Sequence, residues 1–379
     1  MVVNRGFSFS NIVGMYAIKP DRATSKDCIT AIYPGNLKRI YSQNSYEEGS
    51  IAYEFAALNT NDTEKMIEFC AHYGLLKSNR LTRNTTNNYI YFKEYKSVFS
   101  EVVPDYTPDS YPLKDFIHEI KTMKCLLGIK NGIDTESSCE ILLNLLPLLL
   151  CYMEIPIKTS ETARFNVLFN MYATRYYDPK FLHSMHDYNE CFKGALTDII
   201  EQLSAAINAD KEEWFYTREF SEDLYSDAYQ CTWQNYLHIL EEILTVTEIS
   251  TSEDYEQILF TNNLTDELLS KTNLSYEQIK QAGLCCISDF FNSYTANVTP
   301  ELRYENNILQ YDWKISSLLE AMYMELMVSF SPNSQTKRCA NPTCNSFFEV
   351  AKGNSRKIYC SQRCALLMAK RKQRERMKK

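Results

Sequence analysis

Two close pairs of cysteines near the end of the sequence constrain the fold more than any other feature. Cys339 and Cys344 enclose four residues, Cys360 and Cys364 enclose three, and fifteen residues separate the pairs. This spacing supplies four soft ligands on short tethers, as a tetrahedral zinc ion requires. No histidine follows His238, so the predicted site contains only thiolates. The alternative is that the four cysteines are simply buried, as we expect for the nine others, which lack this spacing.

The residues between the cysteine pairs predict a compact finger. Asn341-Pro342 favours a turn inside the first pair. The runs 346–350 and 356–359 are strand-like, and the segment between them contains Gly353 and Asn354, so we expect a hairpin.

A helix is predicted to follow the hairpin. Ser361 is a suitable N-cap, and the sequence from Gln362 onward is rich in helix formers and lacks Gly and Pro. Cys364 then lies in the first helical turn, and we expect Leu367 and Met368 to face inward. Turn, hairpin and helix, with a cysteine pair at each end, is the order of a treble-clef zinc finger.

This segment resembles the CGNR-type zinc finger of bacterial proteins. The resemblance is carried by Cys339-Ala-Asn-Pro-Thr-Cys344, by Phe347-Phe348 and by Tyr359-Cys-Ser-Gln-Arg-Cys364 with its basic continuation. It implies that the four cysteines bind one structural zinc ion. It also implies that the finger follows a largely helical domain and binds nucleic acid in a transcription regulator. The chain departs from the pattern after Cys364, where Ala-Leu-Leu replaces Gly-Asn-Arg.

Charge independently points to a polyanionic partner. Residues 337–379 contain 13 Lys and Arg but only two acidic residues, a net charge of +11. The other 336 residues carry a net charge of −19, which the whole-chain value of −8 conceals. A compact basic module attracts phosphate backbones, so we expect nucleic acid as the partner. DNA is favoured over RNA, although the charge does not distinguish them. The expected contact residues are Arg356, Lys357, Arg363, Lys370, Arg371, Lys372, Arg374, Arg376, Lys378 and Lys379.

Other uses of the basic segment stay open. It is also suited to docking on an acidic protein, as in an interaction adaptor, or on the acidic part of its own chain, and terminal charge runs are often only solvated. The aromatic residues Phe347, Phe348 and Tyr359 are suited either to base stacking or to a small core. We expect core positions, because so small a finger has few other apolar groups to bury.

The remaining 330 residues predict a mainly α body with small β additions, an α+β domain or two subdomains. Residues 331–336 are polar and predict a linker, which places the finger at 337–379. Helices are expected from Leu113 to Gly128 or Gly132, over 141–153 with a kink at Pro147, over 192–207, from a capping box at Ser275 to Tyr294, and over 315–327. Strands are expected over 29–41 with a break at Pro34-Gly35, over 89–92, and in a hairpin over 302–313 that turns at Asn306-Asn307.

Several functional classes find no support in the sequence. No apolar run reaches the length of a membrane span, and residues 1–20 do not form a secretory signal. Thirteen cysteines without such a signal indicate a reducing compartment, so we expect a cytoplasmic protein. The sequence has no dinucleotide fingerprint, phosphate-binding loop or nucleophile elbow, and we predict no enzyme. The alternative is catalysis by the body through chemistry that follows none of these motifs, with the zinc incidental to it. The pair His183 and His186 lacks a defined third ligand, which favours ordinary histidines over a metal site.

Overall fold

The computed structural model describes most of the chain in segments. These are residues 8–20, 26–32, 36–41, 50–77, 110–149, 154–156, 164–166, 227–247, 249–251, 258–260, 264–305, 308–330, 334–344, 346–351 and 356–377. The predicted helix over 192–207, the predicted strand over 89–92 and the pair His183 and His186 lie outside them.

The described residues form helices and short antiparallel sheets. The helices are α1 Ile51–Ala56, α2 Thr63–Tyr73, α3 Leu113–Asp134, α4 Ser138–Pro147, α5 Asp227–Val246, α6 Asp266–Leu269, α7 Tyr276–Thr295, α8 Leu318–Ser329 and α9 Gln362–Met377. The strands are β1 Ser8–Val13, β2 Tyr16–Pro20, β3 Asp27–Ala31, β4 Asn36–Tyr41, β5 Ser110–Pro112, β6 Glu154–Pro156, β7 Arg164–Asn166, β8 Ile249–Thr251, β9 Ile258–Phe260, β10 Thr299–Glu305, β11 Ile308–Lys314, β12 Ser334–Arg338 and β13 Phe347–Ala351. The predicted mainly helical α+β class is confirmed.

All pairings among these strands are antiparallel. β2, β3 and β5 form a three-stranded sheet, with β3 in the centre, and the pairs β1–β4, β6–β7, β8–β9, β10–β11 and β12–β13 form two-stranded sheets. The predicted hairpin over 302–313 is confirmed, because β10 pairs with β11 and Glu305 lies opposite Ile308. Asn306-Asn307, predicted as its turn, lie outside the described residues. The strands on either side of Pro34-Gly35 are also present, and they join different sheets.

The chain divides into two compact units. The first comprises Met1–Lys124 and Asp289–Lys379, and the second comprises Cys125–Ser288. Helices α3 and α7 contribute residues to both. None of the helices in the described segments has the length and apolar composition that crossing a lipid bilayer requires.

The first unit has an aromatic and aliphatic core around α1, α2 and the start of α3. The rings of Phe55 and Phe69 lie 5.2 Å apart, and those of Phe55 and Phe116 lie 5.3 Å apart in an edge-on arrangement. All three side chains are almost fully buried. Edge-on and tilted aromatic pairs are favourable beyond their burial, so these rings fix α1 against α2 and α3.

In the second unit, α3 continues beyond both glycines at which the sequence predicts its end. A Cβ on Gly128 would lie 2.2 Å from the side chain of Asn144, and one on Gly132 would lie 2.7 Å from Ile141. Both partners belong to α4, whose apolar side chains at positions 141, 142, 145 and 146 are buried as predicted. The prediction of a helix end was wrong, because these glycines allow α3 and α4 to approach closely.

Helix α7 begins as the sequence predicts. The Ser275 hydroxyl accepts a hydrogen bond from the Gln278 backbone N–H at 3.3 Å, and the Gln278 side-chain oxygen accepts one from the Ser275 N–H at 2.9 Å. These reciprocal bonds form a capping box that satisfies two backbone donors at the start of the helix.

A buried carboxyl group lies within the first unit. Glu119 on α3 is 5 % exposed, and its two oxygens accept hydrogen bonds from the Tyr294 hydroxyl at 3.0 and 3.2 Å. The ring of Tyr294 stacks on that of Tyr323, with centroids 4.1 Å apart. Burial raises the pKa of Glu119 to about 7, although the hydrogen bond from Tyr294 and the charge of Lys77 act in the opposite direction.

We expect Glu119→Gln to stabilise the protein at pH 8 far more than at pH 5. The pKa of Glu119 is higher in the folded chain than in the unfolded one, so its contribution to stability is full at low pH and is lost as the pH rises to about 7. Gln removes the charge and keeps an oxygen that accepts from Tyr294. The advantage of the variant should grow by roughly 2 kcal/mol between pH 5 and pH 8, measured by urea denaturation. Glu68→Gln, at an exposed position, is the control; equal pH dependence in wild type and Glu119→Gln would contradict the assignment.

Candidate metal centre

The first cysteine pair lies in a turn between two paired strands. β12 and β13 are antiparallel, with Ser334 opposite Ala351 and Arg338 opposite Phe347. The Cys339 N–H donates to the Ser346 carbonyl at 2.9 Å, which continues the ladder toward the turn. The Cys344 N–H donates to the Asn341 carbonyl at 2.9 Å and closes the turn that Asn341-Pro342 predicts.

The second cysteine pair lies at the start of α9. The Ser361 hydroxyl accepts from the Cys364 N–H at 3.3 Å, so Ser361 is the N-cap and Cys364 lies in the first turn, as predicted. The segment before it is held to the first pair, because the Ala340 N–H donates to the Ile358 carbonyl at 2.9 Å.

The predicted hairpin between 346–350 and 356–359 is wrong. β13 pairs with β12, and residues 356–359 do not form a strand. β12 also includes residues 334–336, which belong to the predicted linker. The sequence of β12, Ser-Gln-Thr-Lys-Arg, is polar and carries no strand signal of its own. The physical reason is that the turn between Cys339 and Cys344 brings the flanking residues into register across it.

The four sulfur atoms converge on one point. They all lie within 4.8 Å of one another, with Cys344 and Cys360 3.5 Å apart and Cys360 and Cys364 3.7 Å apart. A tetrahedron with metal–sulfur bonds of 2.3 Å has edges of about 3.8 Å, so these separations suit one four-coordinate ion. They are much longer than a disulfide bond, which measures about 2 Å. The four residues could therefore hold a single metal ion.

The four cysteines pack together with the few apolar side chains that form the core of the finger. Cys339 and Cys364 are buried with Phe348 and Val350, and Cys344, Cys360 and Tyr359 pack against them while partly exposed. Phe347 is also buried, at 5 % exposure. The positions of Phe348 and Tyr359 confirm that these two aromatic residues belong to the finger core, whereas Phe347 is buried outside this cluster. Two cations lie over the aromatic rings of β13. Arg338 is 5.2 Å from the ring of Phe347, and Lys357 is 5.5 Å from that of Phe348.

Hydrogen-bond donors surround the sulfur atoms. The Asn341 side-chain amide donates to Cys364 Sγ at 3.5 Å and lowers the pKa of that thiol to about 7. The Cys360 backbone N–H donates to Cys339 Sγ, also at 3.5 Å. Burial raises the pKa of Cys339 and of Cys360 above the ordinary value. A bound cation reverses this effect, because thiol ligands coordinate as thiolates.

Asn341 belongs to the centre, although the sequence predicts it only as a turn former. Its side-chain oxygen accepts hydrogen bonds from Thr343, from the N–H at 3.3 Å and from the hydroxyl at 3.0 Å. These bonds aim the amide N–H₂ at Cys364, and the residue is 3 % exposed. A side chain that donates a hydrogen bond to a metal ligand orients that ligand, and its loss commonly lowers metal affinity. The only signal in the sequence was an Asn between two cysteines of one pair.

The finger is fixed to the first unit by specific bonds. The hydroxyls of Tyr53 on α1 and Thr336 on β12 lie 3.0 Å apart and are buried. The Ser334 hydroxyl donates to the carbonyl of Ser329, the last residue of α8. Helix α1 is itself held to α8, because the Ala52 N–H donates to a Glu325 oxygen at 3.0 Å. The finger therefore has a defined orientation on its unit.

The basic residues lie mainly on the surface of the finger. Arg356 and Arg363 are exposed, as are five of α9's later residues: Lys370, Arg371, Lys372, Arg374 and Arg376. Lys357 is partly buried beside Phe348. Lys378 and Lys379 lie outside the described residues. The expectation that Leu367 faces inward was wrong, since it is 49 % exposed, because the small core ends at Cys364 and the partly buried Met368.

Comparisons of the chain with protein-family models, with curated proteins and with solved structures find no match.

We expect Asn341→Ala to weaken zinc binding without changing its stoichiometry. The variant loses the donor to Cys364 but keeps all four thiols, and losing a ligand-orienting group typically lowers metal affinity by roughly tenfold or more. Competition with a chromogenic chelator measures the change. Asn61→Ala, at an exposed position in another turn, is the matched control and should bind zinc as the wild type does. Equal zinc affinities for Asn341→Ala and the control would show that Asn341 does not contribute to metal binding.

Proposed function

We propose that the four cysteines bind one structural zinc ion and that the finger binds nucleic acid through α9. The observation that carries this proposal is the exposed positive charge of α9 next to a closed thiolate cluster. The helix contains six Lys and Arg and one acidic residue, and all six basic side chains are exposed. Within the described part of the chain, none of the six forms an ion pair with a carboxylate.

Zinc is the metal that best suits the donor set. Four thiolates at tetrahedral separations favour zinc or iron, and zinc in such sites is structural. The four ligands fill a tetrahedral shell and leave no position for a reacting water, which argues against metal-based catalysis. Its role here is to join the turn after β12 to the first turn of α9. The zinc thereby fixes the direction in which the basic helix points.

Electrostatics support nucleic acid as the partner. Residues 337–379 carry a net charge of +11, and the rest of the chain carries −19. The acidic remainder repels phosphate, so contact is confined to the finger, where the positive field is concentrated. We propose a regulator of transcription as the most suitable class, with a treble-clef order of turn, strand and helix. Membership of the CGNR-type family is part of this proposal and rests on the finger residues alone.

The first experiment is a fluorescence-anisotropy titration of random duplex DNA with the zinc-loaded full chain at several salt concentrations. Phosphate contacts release counterions, so log affinity should fall with log salt at a slope of about −4 to −6. The absence of binding at low salt would contradict the proposal. In that case capture of a discrete protein partner that survives nuclease treatment would favour an adaptor, whose finger docks on an acidic protein.

We expect Cys360→Ser to lose both zinc and DNA binding. A serine is a poor zinc ligand, and a finger with so small a core depends on its metal to fold. Metal analysis should give about one zinc per wild-type chain and much less for the variant. Cys139→Ser is the control, because Cys139 lies outside the centre and donates to Asp266. Full zinc occupancy in Cys360→Ser would refute the ligand assignment.

We expect the combined change of Arg371, Lys372, Arg374 and Arg376 to Gln to retain zinc and weaken binding to unrelated duplexes by similar factors. Phosphate contacts carry little sequence information, so removing most of them lowers affinity generally and flattens the salt dependence. A matched control changes four exposed lysines outside the finger to Gln: Lys65, Lys114, Lys271 and Lys314. It removes the same net charge. Equal losses in both variants would show that net charge, and not α9, governs binding.

A further inference from the structure

Helix α9 extends beyond the body of the finger. Its first turns are anchored at Cys364, which is 8 % exposed, and at Met368, which is partly buried. From Ala369 to Arg374, and again at Arg376, every side chain that the structure describes is exposed. The second half of the helix therefore offers its whole circumference to a partner.

Five of the six basic residues of α9 form two flanks, and the sixth, Arg371, lies on the Cys364 side of the helix. At about 100° per residue, Arg363, Lys370 and Arg374 lie on one side of the helix. Lys372 and Arg376 lie on the other side, and the centres of the two flanks are roughly 160° apart. We call these groups the two basic flanks. A helix designed for a flat acidic surface would instead concentrate its cations on one face and its apolar residues on the other.

A row of uncharged residues separates the flanks on the side opposite Cys364. Gln362, Leu366, Ala369 and Gln373 follow helical spacing of four, three and four residues, and all four are exposed. Leu366 is 56 % exposed although it is a large apolar residue. We call these four residues the neutral ridge. It extends over about 16 Å of the helix, which matches roughly five base pairs.

We propose that α9 binds in the major groove of duplex DNA, with the two basic flanks on the phosphates of the two groove walls and the neutral ridge on the base edges. This inference rests on the proposed nucleic-acid-binding function and adds the form of nucleic acid and the mode of contact. A major groove about 12 Å wide admits a helix whose diameter with side chains is about 10–12 Å. The concave, doubly anionic groove matches a helix with positive charge on opposite sides.

Duplex RNA suits this arrangement less well. The major groove of A-form RNA is deep and narrow, so side chains on a helix of ordinary width do not reach its base edges. The chemistry of the neutral ridge also matches B-form DNA. Gln side chains pair with the N6 and N7 edge of adenine, and Leu and Ala methyl groups contact the methyl group of thymine, which RNA lacks. We therefore expect the preferred sites to contain A·T pairs under the ridge.

The first test compares probes of equal charge with the zinc-loaded full chain at one salt concentration. Binding to duplex DNA should be at least about tenfold tighter than to duplex RNA of the same sequence. DNA containing glucosylated 5-hydroxymethylcytosine, whose sugar occupies the major groove, should bind at least about tenfold more weakly than unmodified DNA. A minor-groove ligand such as netropsin should leave affinity within about twofold. Equal binding to the DNA and RNA duplexes, or loss with netropsin alone, would overturn the major-groove mode while leaving the proposed function intact.

The second test locates the base-reading residues. The full chain is used to select duplexes from a random library, and the selection is repeated with Gln373→Ala and with Leu366→Ala. Both positions are exposed, so neither change should disturb folding or zinc content. Each variant should lose preference at one or two positions of the site by roughly fivefold or more. Arg374→Gln is the contrast and should weaken all sequences alike.

The outcomes separate the two proposals. Binding to random DNA with no enriched motif, or a motif that neither ridge variant changes, overturns the inference and leaves the nucleic-acid function standing. Absence of binding to any nucleic acid overturns both. A shifted motif in a ridge variant whose zinc content and salt slope are unchanged supports both.

Discussion

The convergence of four thiols is the interaction on which the finger depends. Among the described residues after β12, the cluster around the cysteines contains just two other buried apolar side chains, Phe348 and Val350, and so small a core does not offset the entropy of ordering the chain. A metal ion held by Cys339, Cys344, Cys360 and Cys364 would replace that missing burial with coordination bonds. This connection would then set the direction of α9, and with it the position of every basic residue on that helix.

The candidate site was predictable where its determinants are local. The cysteine spacing, the turn at Asn341-Pro342 and the Ser361 cap each involve residues within a few positions of one another, and all appear in the structure. The partner of β13 was not predictable, because β12 is polar and its pairing is imposed across the turn. Nor did the sequence indicate the bond between Tyr53 and Thr336, which are 283 positions apart.

The body shows the same division between local and distant causes. The capping box at Ser275 and the pairing of β10 with β11 are short-range features, and the sequence predicts both. The sequence predicts a helix end at Gly128, and that prediction was wrong. Glycine weakens a helix, but it is needed here because α4 approaches α3 closely, and that approach depends on tertiary packing. The burial of Glu119 beside Tyr294 likewise joins residues 175 positions apart, and periodicity alone cannot pair them.

The attachment of the finger to α1 and α8 has a thermodynamic consequence for any partner. A module on a flexible tether must lose its rotational freedom when it binds, and that loss subtracts from affinity. The bonds from Tyr53 to Thr336 and from Ser334 to Ser329 restrict this freedom during folding. Helix α9 is thus presented in one orientation before any encounter. Because β12 is bonded to both helices, a shift of α8 against α1 would change the direction in which α9 points.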